Sequence, residues 1–131
     1  SVYRSPTNYG KTFLKALLLV VMVFIGSKIF HRARRQSYLT MAGKALITLA
    51  IEQEIYFTTN FTYTSELTDL NMSDPEPLSV FLAATSDGWS AIAQHQNLPS
   101  EDGCVIYFGT GEILPVGNTT PRFPGDVACT P

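Results

Sequence analysis

The sequence feature that most constrains the fold is an apolar run near the amino end of the chain. Residues 16–27 read ALLLVVMVFIGS without a charge, and the apolar zone extends from Phe13 to Phe30 if Lys15 and Lys28 are included. Eighteen helical residues span about 27 Å, close to the bilayer core if both lysines reach the interfaces. The run therefore fits a cleaved signal peptide, a permanent anchor, or a segment that leaves the membrane to be buried in protein. The following residues, SKIFHRARRQ, lack the small-residue cleavage site of a signal peptide.

The apolar pattern continues beyond this basic stretch at spacings of three, four, three and seven, which keeps one stripe aligned on a helix. No proline occurs between Thr7 and Pro75. We therefore predict one helix over residues 12–59, about 70 Å long, with an apolar half (13–30), an amphipathic half (36–59) and a left-handed cap at Asn60. The stripe consists of Leu39, Ala42, Leu46, Leu49 and Tyr56.

Charge is divided sharply along the chain. Eight bases and no acid precede Glu52, whereas the part from Glu52 onward has eleven acids and only Arg122 as a base, giving +8 and −10. Such segregation indicates two environments, or association between opposite ends of neighbouring copies. The roughly 70 residues that follow the helix cannot cover it all, so its first half requires lipid or copies of itself.

The acidic part, residues 60–131, is predicted to be a small globular β domain. Residues 78–83 and 89–95 have the pattern of two strands joined by a turn, and residues 104–108 and 112–116 that of a second hairpin. A short helical turn is expected at 65–70. A small antiparallel sheet with one apolar face needs a cover, which the second half of the helix supplies, so the fold class is α+β. The predicted helix–sheet core contains Leu46, Leu49, Tyr56 and Trp89.

The chain has two cysteines, Cys104 and Cys129, at the ends of a loop rich in glycine and proline. If this part lies outside the cytoplasm they should form a disulfide, and closing a loop of about 25 residues would stabilise the domain by roughly 3 kcal/mol. The alternative is a pair of free thiols.

Motifs for catalysis are not apparent: the sequence contains no nucleophile elbow, Walker motif or haem-attachment motif, so we expect no enzyme activity and no cofactor. His31 and His95 are interpreted as surface or interface residues, and no metal site is predicted. The acids of Glu101-Asp102-Gly103 are more typical of an exposed turn than of a calcium site. The run HRARR is more typical of a membrane interface or a subunit contact than of nucleic-acid binding.

Three N-glycosylation sequons occur, each of which could also arise by chance. They begin at Asn60, Asn71 and Asn118.

Four stretches of the chain carry a family resemblance. They are ALITLAIEQEIYFTTNFTYT at 45–64, then SEL..L, a hairpin ending DGWSAIAQH, and a late CVIYFGTGE followed by a final cysteine. In this order and spacing they resemble the type IV pilins and secretion pseudopilins, over nearly the whole chain. The part EQ..YF..N..YT is the most specific of them.

In that family a long N-terminal helix anchors the subunit in the inner membrane and then forms the core of a helical filament, with the sheet domains outside. The resemblance thus implies a structural subunit of an extracellular type IV pilus-like filament, assembled from an inner-membrane precursor by the pilus assembly machinery. The implied intersubunit charges are Lys15, Lys28, Arg32, Arg34 and Arg35. The implied filament-core residues are Phe13, Leu14, Leu17, Leu18, Val20, Val21, Val23, Phe24, Ile25 and Phe30.

The chain departs from the family at its amino end. Members usually have, after a glycine, a phenylalanine and then a glutamate a few residues on, whereas Lys11 and Lys15 stand at those positions after Gly10. Assembly would then depend on another contact, or cleavage would differ from the usual site. We expect residues 1–11 to be a retained polar arm; an uncleaved leader is the alternative.

The orientation of the chain in the membrane and its function both leave alternatives. Five bases follow the apolar run and three precede it, which by the positive-inside rule would place the acidic domain in the cytoplasm. The disulfide argument and the resemblance favour the opposite side. A low-copy pseudopilin of a secretion or DNA-uptake system, or a bitopic membrane protein with a small extracytoplasmic binding domain, would share these features.

Overall fold

One long helix, α1, runs from Thr7 to Asn60. The structure is a computed structural model, which describes the backbone of residues 7–72 and 75–131 and the side chains of 12–72 and 75–131. The helix begins five residues before the predicted boundary at residue 12, so residues 7–11 of the predicted arm are helical. The rest of that arm, residues 1–6, lies outside the described residues. The chain divides into two compact units, Ser1–Arg34 and Arg35–Pro131, and α1 contributes to both.

The end of α1 differs from the prediction in one detail. The left-handed residue is Phe61, with φ of 56°, and not Asn60. The N–H of Phe61 donates to the Phe57 carbonyl at 2.9 Å, as in a left-handed helix cap. Asn60 contributes differently, because its side-chain Nδ2 donates to the Tyr56 carbonyl at 3.0 Å. The Asn60 side chain thus satisfies a carbonyl of the last turn, and the next residue turns the chain.

The second unit contains a four-stranded antiparallel sheet in the order β1-β2-β3-β4. A short 3₁₀ turn at Leu67–Asp69 precedes it, within the predicted range. The predicted first hairpin is confirmed, with Phe81 opposite Ile92 at the centre of β1. The strands are β1 Leu78–Ala84, β2 Gly88–His95, β3 Cys104–Gly109 and β4 Ala128–Cys129.

The predicted second hairpin is wrong. Residues 112–115 form no strand, and the partner of β3 on that side is β4, with Cys104 opposite Cys129. The chain after β3 is instead held by the β1–β2 turn: the Thr110 N–H donates to the Asp87 carbonyl at 3.3 Å and its hydroxyl to Asp87 Oδ1 at 2.7 Å. At Gly111 a Cβ atom would come within 2.1 Å of the Trp89 carbonyl oxygen, so this close crossing requires glycine.

The α+β fold class is confirmed: the second half of α1 packs on one face of the sheet. The predicted stripe supplies the helix side of the core, and Ala91 and Ala93 of β2 are small enough for the helix to approach closely. Of the four predicted core residues, Leu46, Leu49 and Trp89 are buried, and Tyr56 is half-buried against them. The buried core consists of Leu39, Ala42, Leu46, Leu49, Leu70, Trp89, Ala91, Ala93, Cys104 and Ile106.

Candidate membrane and assembly surface

The first unit presents an apolar helix surface, by which we mean the apolar side chains of residues 13–30. All ten predicted filament-core residues are exposed in the single chain, between 45% and 72%. Leu19, Met22 and Ile29, which the prediction omitted, are exposed to the same degree. Because these side chains point in every direction around α1, the surface has no polar face. A helix that is apolar all round is stable in lipid or inside protein, and not in water.

The length of this surface suits a bilayer. Within the described residues there is one helix long and apolar enough to cross a membrane, judged by length and composition, and none of its apolar window is buried within the chain. Leaving about ten such side chains in water would cost on the order of 15–30 kcal/mol, at 1.5–3 kcal/mol each. Burial of this surface in lipid or in other protein would remove that cost.

Two basic side chains near the end of the apolar helix surface lie against its aromatic rings. Lys28 Nζ is 4.9 Å from the centre of the Phe24 ring, and Arg34 Cζ is 4.7 Å from the centre of the Phe30 ring. Each pair is spaced by four residues, which are neighbours on a helix. Together with Lys15 and Arg32, these bases form no ion pair with the described residues. Their charges are available to headgroups or to acids of another chain.

Arg35 was predicted as an intersubunit charge, but the structure gives it a partner in its own unit. Its Nε and Nη2 donate to the two carboxylate oxygens of Asp102 at 3.2 and 3.1 Å, and Nη2 also donates to the Pro131 oxygen at 2.6 Å. Hydrogen bonding from Arg35 lowers the pKa of the Asp102 carboxyl below its usual range. Asp102 is therefore a structural ion-pair residue. The sequence offered no signal for this contact between residues 67 positions apart.

The disulfide between Cys104 and Cys129 is present and lies against α1. A Cβ atom placed on Gly43 would lie 3.7 Å from Cys129 Sγ and 3.9 Å from Cys104 Sγ, so the helix passes close to the bridge at a residue without a side chain. Cys104 is fully buried. The bridge thus joins β3 and β4 directly under the helix, where it fixes the C-terminal segment.

A second apolar surface lies on α1 within the second unit. Ile47, Ile51 and Ile55 are exposed at 52%, 57% and 55%. Their spacing of four places them in one row, which we call the isoleucine stripe. The buried stripe occupies other positions of the same helix, so the isoleucine stripe belongs to the side that the sheet leaves uncovered. The prediction concentrated on residues 13–30 and did not include these three.

His95, interpreted from the sequence as a surface or interface residue, is buried at 4% exposure. Its ring stacks on Tyr38 of α1 at 4.0 Å between centroids, and its Nδ1 accepts the Asn97 N–H at 3.1 Å. The end of β2 is thereby fixed to the helix. His31, in contrast, is exposed, and its ring lies edge-on to the Phe30 ring with 6.4 Å between the ring centroids.

The buried side-chain amide of Gln53 gives a structural role to part of the stretch EQ..YF..N..YT. Gln53 is fully buried within the apolar stripe, and its side chain forms two hydrogen bonds with the backbone of Thr64: Nε2 donates to the carbonyl at 2.7 Å, and Oε1 accepts the N–H at 3.1 Å. Tyr63 stacks on Phe57, and burial together with a hydrogen bond to Glu54 raises the pKa of Tyr63 to about 12. These contacts fold the chain back onto α1 after the helix ends.

The remaining predicted positions are surface sites. Asn60, Asn71 and Asn118 are all exposed, whereas Ser73, the third residue of the second sequon, lies outside the described residues. In the described part of the chain, no group of three or more histidine, cysteine or acidic side chains is placed to hold a metal ion.

Comparison with known proteins adds no family assignment. No family model matches the sequence, and no curated protein matches it. The fold and the exposed surfaces are therefore the basis for a functional proposal.

Proposed function

We propose that this chain is a structural subunit of an extracellular type IV pilus-like helical filament. The observation that carries the proposal is the apolar helix surface, whose side chains are exposed on every side of α1. In the proposed filament, the first halves of many helices bury one another around a common axis. Before assembly the same surface holds the precursor in the inner membrane, and the pilus assembly machinery extracts it.

Two further features support this proposal. A long helix followed by a small antiparallel sheet domain is the architecture that the resemblance implied, and the second unit has that architecture. A disulfide closes its C-terminal segment, and disulfides persist in oxidising compartments outside the cytoplasm. Both features agree with a domain displayed outside the cell.

The proposed filament also gives a role to the unpaired bases. Lys15 lies within the apolar helix surface, and burying a charge without a partner is costly. The second unit contains all the acids of the chain, so neighbouring copies can supply the missing partners. Lys28, Arg32 and Arg34 are the other candidates for such contacts, and Arg35 is not, because Asp102 already engages it.

The test is to shear cells that produce the full chain and examine the released material by electron microscopy. We expect filaments of repeating protomers. A chain lacking residues 1–30 should give a soluble protein that forms no filaments, because the apolar helix surface is removed and the core of the second unit is left intact. A matched substitution is Val21→Glu, which should abolish filaments, against Phe123→Glu at an exposed position of the second unit, which should not.

The same experiment separates the alternatives. A low-copy pseudopilin would give short assemblies at low abundance. A bitopic membrane protein would stay in the membrane fraction and would not be released by shear. Filaments formed by the chain without residues 1–30 would contradict the proposed packing.

A further inference from the structure

β1 forms a long edge of the sheet that nothing in its sequence protects. Its seven residues, LSVFLAA, contain no charge and no proline, and its pairing with β2 is regular from end to end. Natural edge strands usually carry charges, prolines or bulges that prevent pairing with another chain. The opposite edge, β4, has two residues and is joined to β3 by the disulfide. The two edges are therefore very different as templates for a further strand.

The hydrogen bonds at the two ends of β1 show which backbone groups face the free edge. The Thr85 N–H donates to the Gly88 carbonyl at 2.8 Å, and the Gln96 N–H donates to the Pro77 carbonyl at 3.1 Å. Both pairs extend the register of β1 with β2 by one residue at either end, so the odd-numbered positions of β1 are the ones hydrogen-bonded to β2. Bonded and non-bonded pairs alternate in an antiparallel ladder. The even-numbered residues, Leu78, Val80, Leu82 and Ala84, therefore direct their backbone groups to the free edge.

We propose that β1 pairs with β1 of a second copy, antiparallel, about a two-fold axis through Phe81. This register places Val80 opposite Leu82 and Leu78 opposite Ala84, so that even-numbered residues meet even-numbered residues across the axis. The Leu78 N–H already donates to the Pro75 carbonyl, which leaves about six backbone hydrogen bonds for the dimer. Phe81 is the middle residue of β1 and is 58% exposed.

The side chains complement this register. The two copies of Phe81 would form a non-hydrogen-bonded pair, in which cross-strand side chains lie closest and aromatic pairs are favourable. On the other face, Val80 and Leu82 are already half-buried against the helix, and a second strand would complete their cover. The exposed neighbours of Phe81 are Ser79 and Ala83, small enough to leave space for both rings.

The symmetry determines which copies can meet. A two-fold axis normal to the sheet reverses every direction in the sheet plane, including that of the helix segment packed on it. Copies that lie parallel to one another in one filament cannot pair in this way. The contact therefore joins copies of two separate assemblies, such as antiparallel filaments. This last step rests on the proposed function, whereas the strand pairing itself does not.

Cysteine cross-linking of the full chain in detergent tests the pairing. The two native cysteines are bonded, so an introduced cysteine is the free thiol of the variant. Phe81→Cys should form a covalent dimer on mild oxidation, because paired Cα atoms at such a position lie about 4.5 Å apart. Ser79→Cys and Ala83→Cys should each stay monomeric alone, since each lies about 13 Å from its own copy. An equimolar mixture of these two should cross-link, because residue 79 faces residue 83.

Phe123→Cys is the matched control, since this phenylalanine is 55% exposed away from β1 and measures random collisions. We expect at least tenfold more dimer from Phe81→Cys than from Phe123→Cys. Equal yields, or a dimer of Ser79→Cys alone, would overturn the proposal. Cross-linking of Phe81→Cys in cells to a different protein in place of its own copy would also overturn it, by assigning the edge to another strand. These results do not depend on filament formation, so the two proposals can fail separately.

Discussion

The two halves of α1 share one backbone geometry and differ in what covers them. In the second half, apolar residues at spacings of three and four are buried under the sheet, and Thr40, Lys44 and Thr48 occupy exposed positions between them. In the first half, apolar residues occupy every side and all are exposed. Polar residues between the apolar ones favour packing of the apolar side of a helix on its own domain. The first half has no polar side, so lipid or other protein has to cover its apolar residues.

The largest expected effect comes from truncating one leucine in each half of α1 and comparing the losses of stability. Leu46 is fully buried and Leu17 is 50% exposed. Leu46→Ala should lower the free energy of unfolding of the second unit by about 2–5 kcal/mol, through lost burial and the cavity left behind. Leu17→Ala should leave it unchanged. Denaturant unfolding followed by the fluorescence of Trp89, the single tryptophan, measures this unit alone. Equal losses would show that the first half also packs on the domain.

A second prediction concerns the polar residue within the buried stripe. Gln53→Leu keeps the volume but leaves the N–H and carbonyl of Thr64 without their side-chain partners. We expect a loss of about 1–3 kcal/mol in the same unfolding measurement. Gln36→Leu, at an exposed position of the same helix, should change the free energy of unfolding by less than about 0.5 kcal/mol. If Gln53→Leu left the free energy of unfolding unchanged, water would have to replace the two hydrogen bonds of the amide.

A third prediction concerns two glycines, and here a substitution is expected to raise the free energy of unfolding and not to lower it. A Cβ atom on Gly43 would make ordinary contacts with Val127 and both disulfide sulfurs, at 3.7–3.9 Å, and one on Gly26 would meet nothing within 4 Å. Gly43→Ala should therefore raise the free energy of unfolding of the second unit by about 0.4–1 kcal/mol, since alanine favours helix. Gly26→Ala should not change this transition. A destabilising Gly43→Ala would indicate that the helix must approach the disulfide more closely than this spacing.

The comparison of the halves also shows what could be predicted from the sequence. Helix, first hairpin and disulfide depend on local spacing and on residue type, and the structure confirms all three. The predicted pairing of residues 112–116 with β3 failed because Gly111 and Thr110 pack on the β1–β2 turn, a contact that strand propensity does not contain. For the apolar helix surface, sequence and single-chain structure agree on exposure, and the partner that covers it stays a prediction.

Burial of His95 was missed for a related reason. A histidine near the end of a strand has no local feature that distinguishes a surface position from a buried one, and its partner Tyr38 is 57 residues away in the sequence. The same applies to Arg35, which follows Arg32 and Arg34 in the sequence and whose partner is Asp102. Contacts between distant polar residues depend on the completed packing, which periodicity does not encode.

The smallest expected effect lies where the two units meet in the sequence. Arg34 lies over Phe30 and forms no ion pair with the described residues, whereas Arg35 pairs with Asp102. Arg35→Gln should lower the free energy of unfolding of the second unit by about 0.2–1 kcal/mol at pH 7, because the pair is half-exposed. Arg34→Gln, the matched control, should leave it unchanged. An equal loss from both would place the boundary of the folded unit before residue 34.

The pH dependence of Arg35→Gln identifies the source of that effect. Arg35 lowers the pKa of Asp102 in the folded chain, so its stabilisation is fully present above the unfolded pKa of about 3.9 and is lost as pH falls through the lower folded value. The difference between the parent chain and Arg35→Gln should therefore shrink below about pH 4. A difference that stays constant to pH 2 would show that Arg35 stabilises the unit through packing and not through the carboxylate.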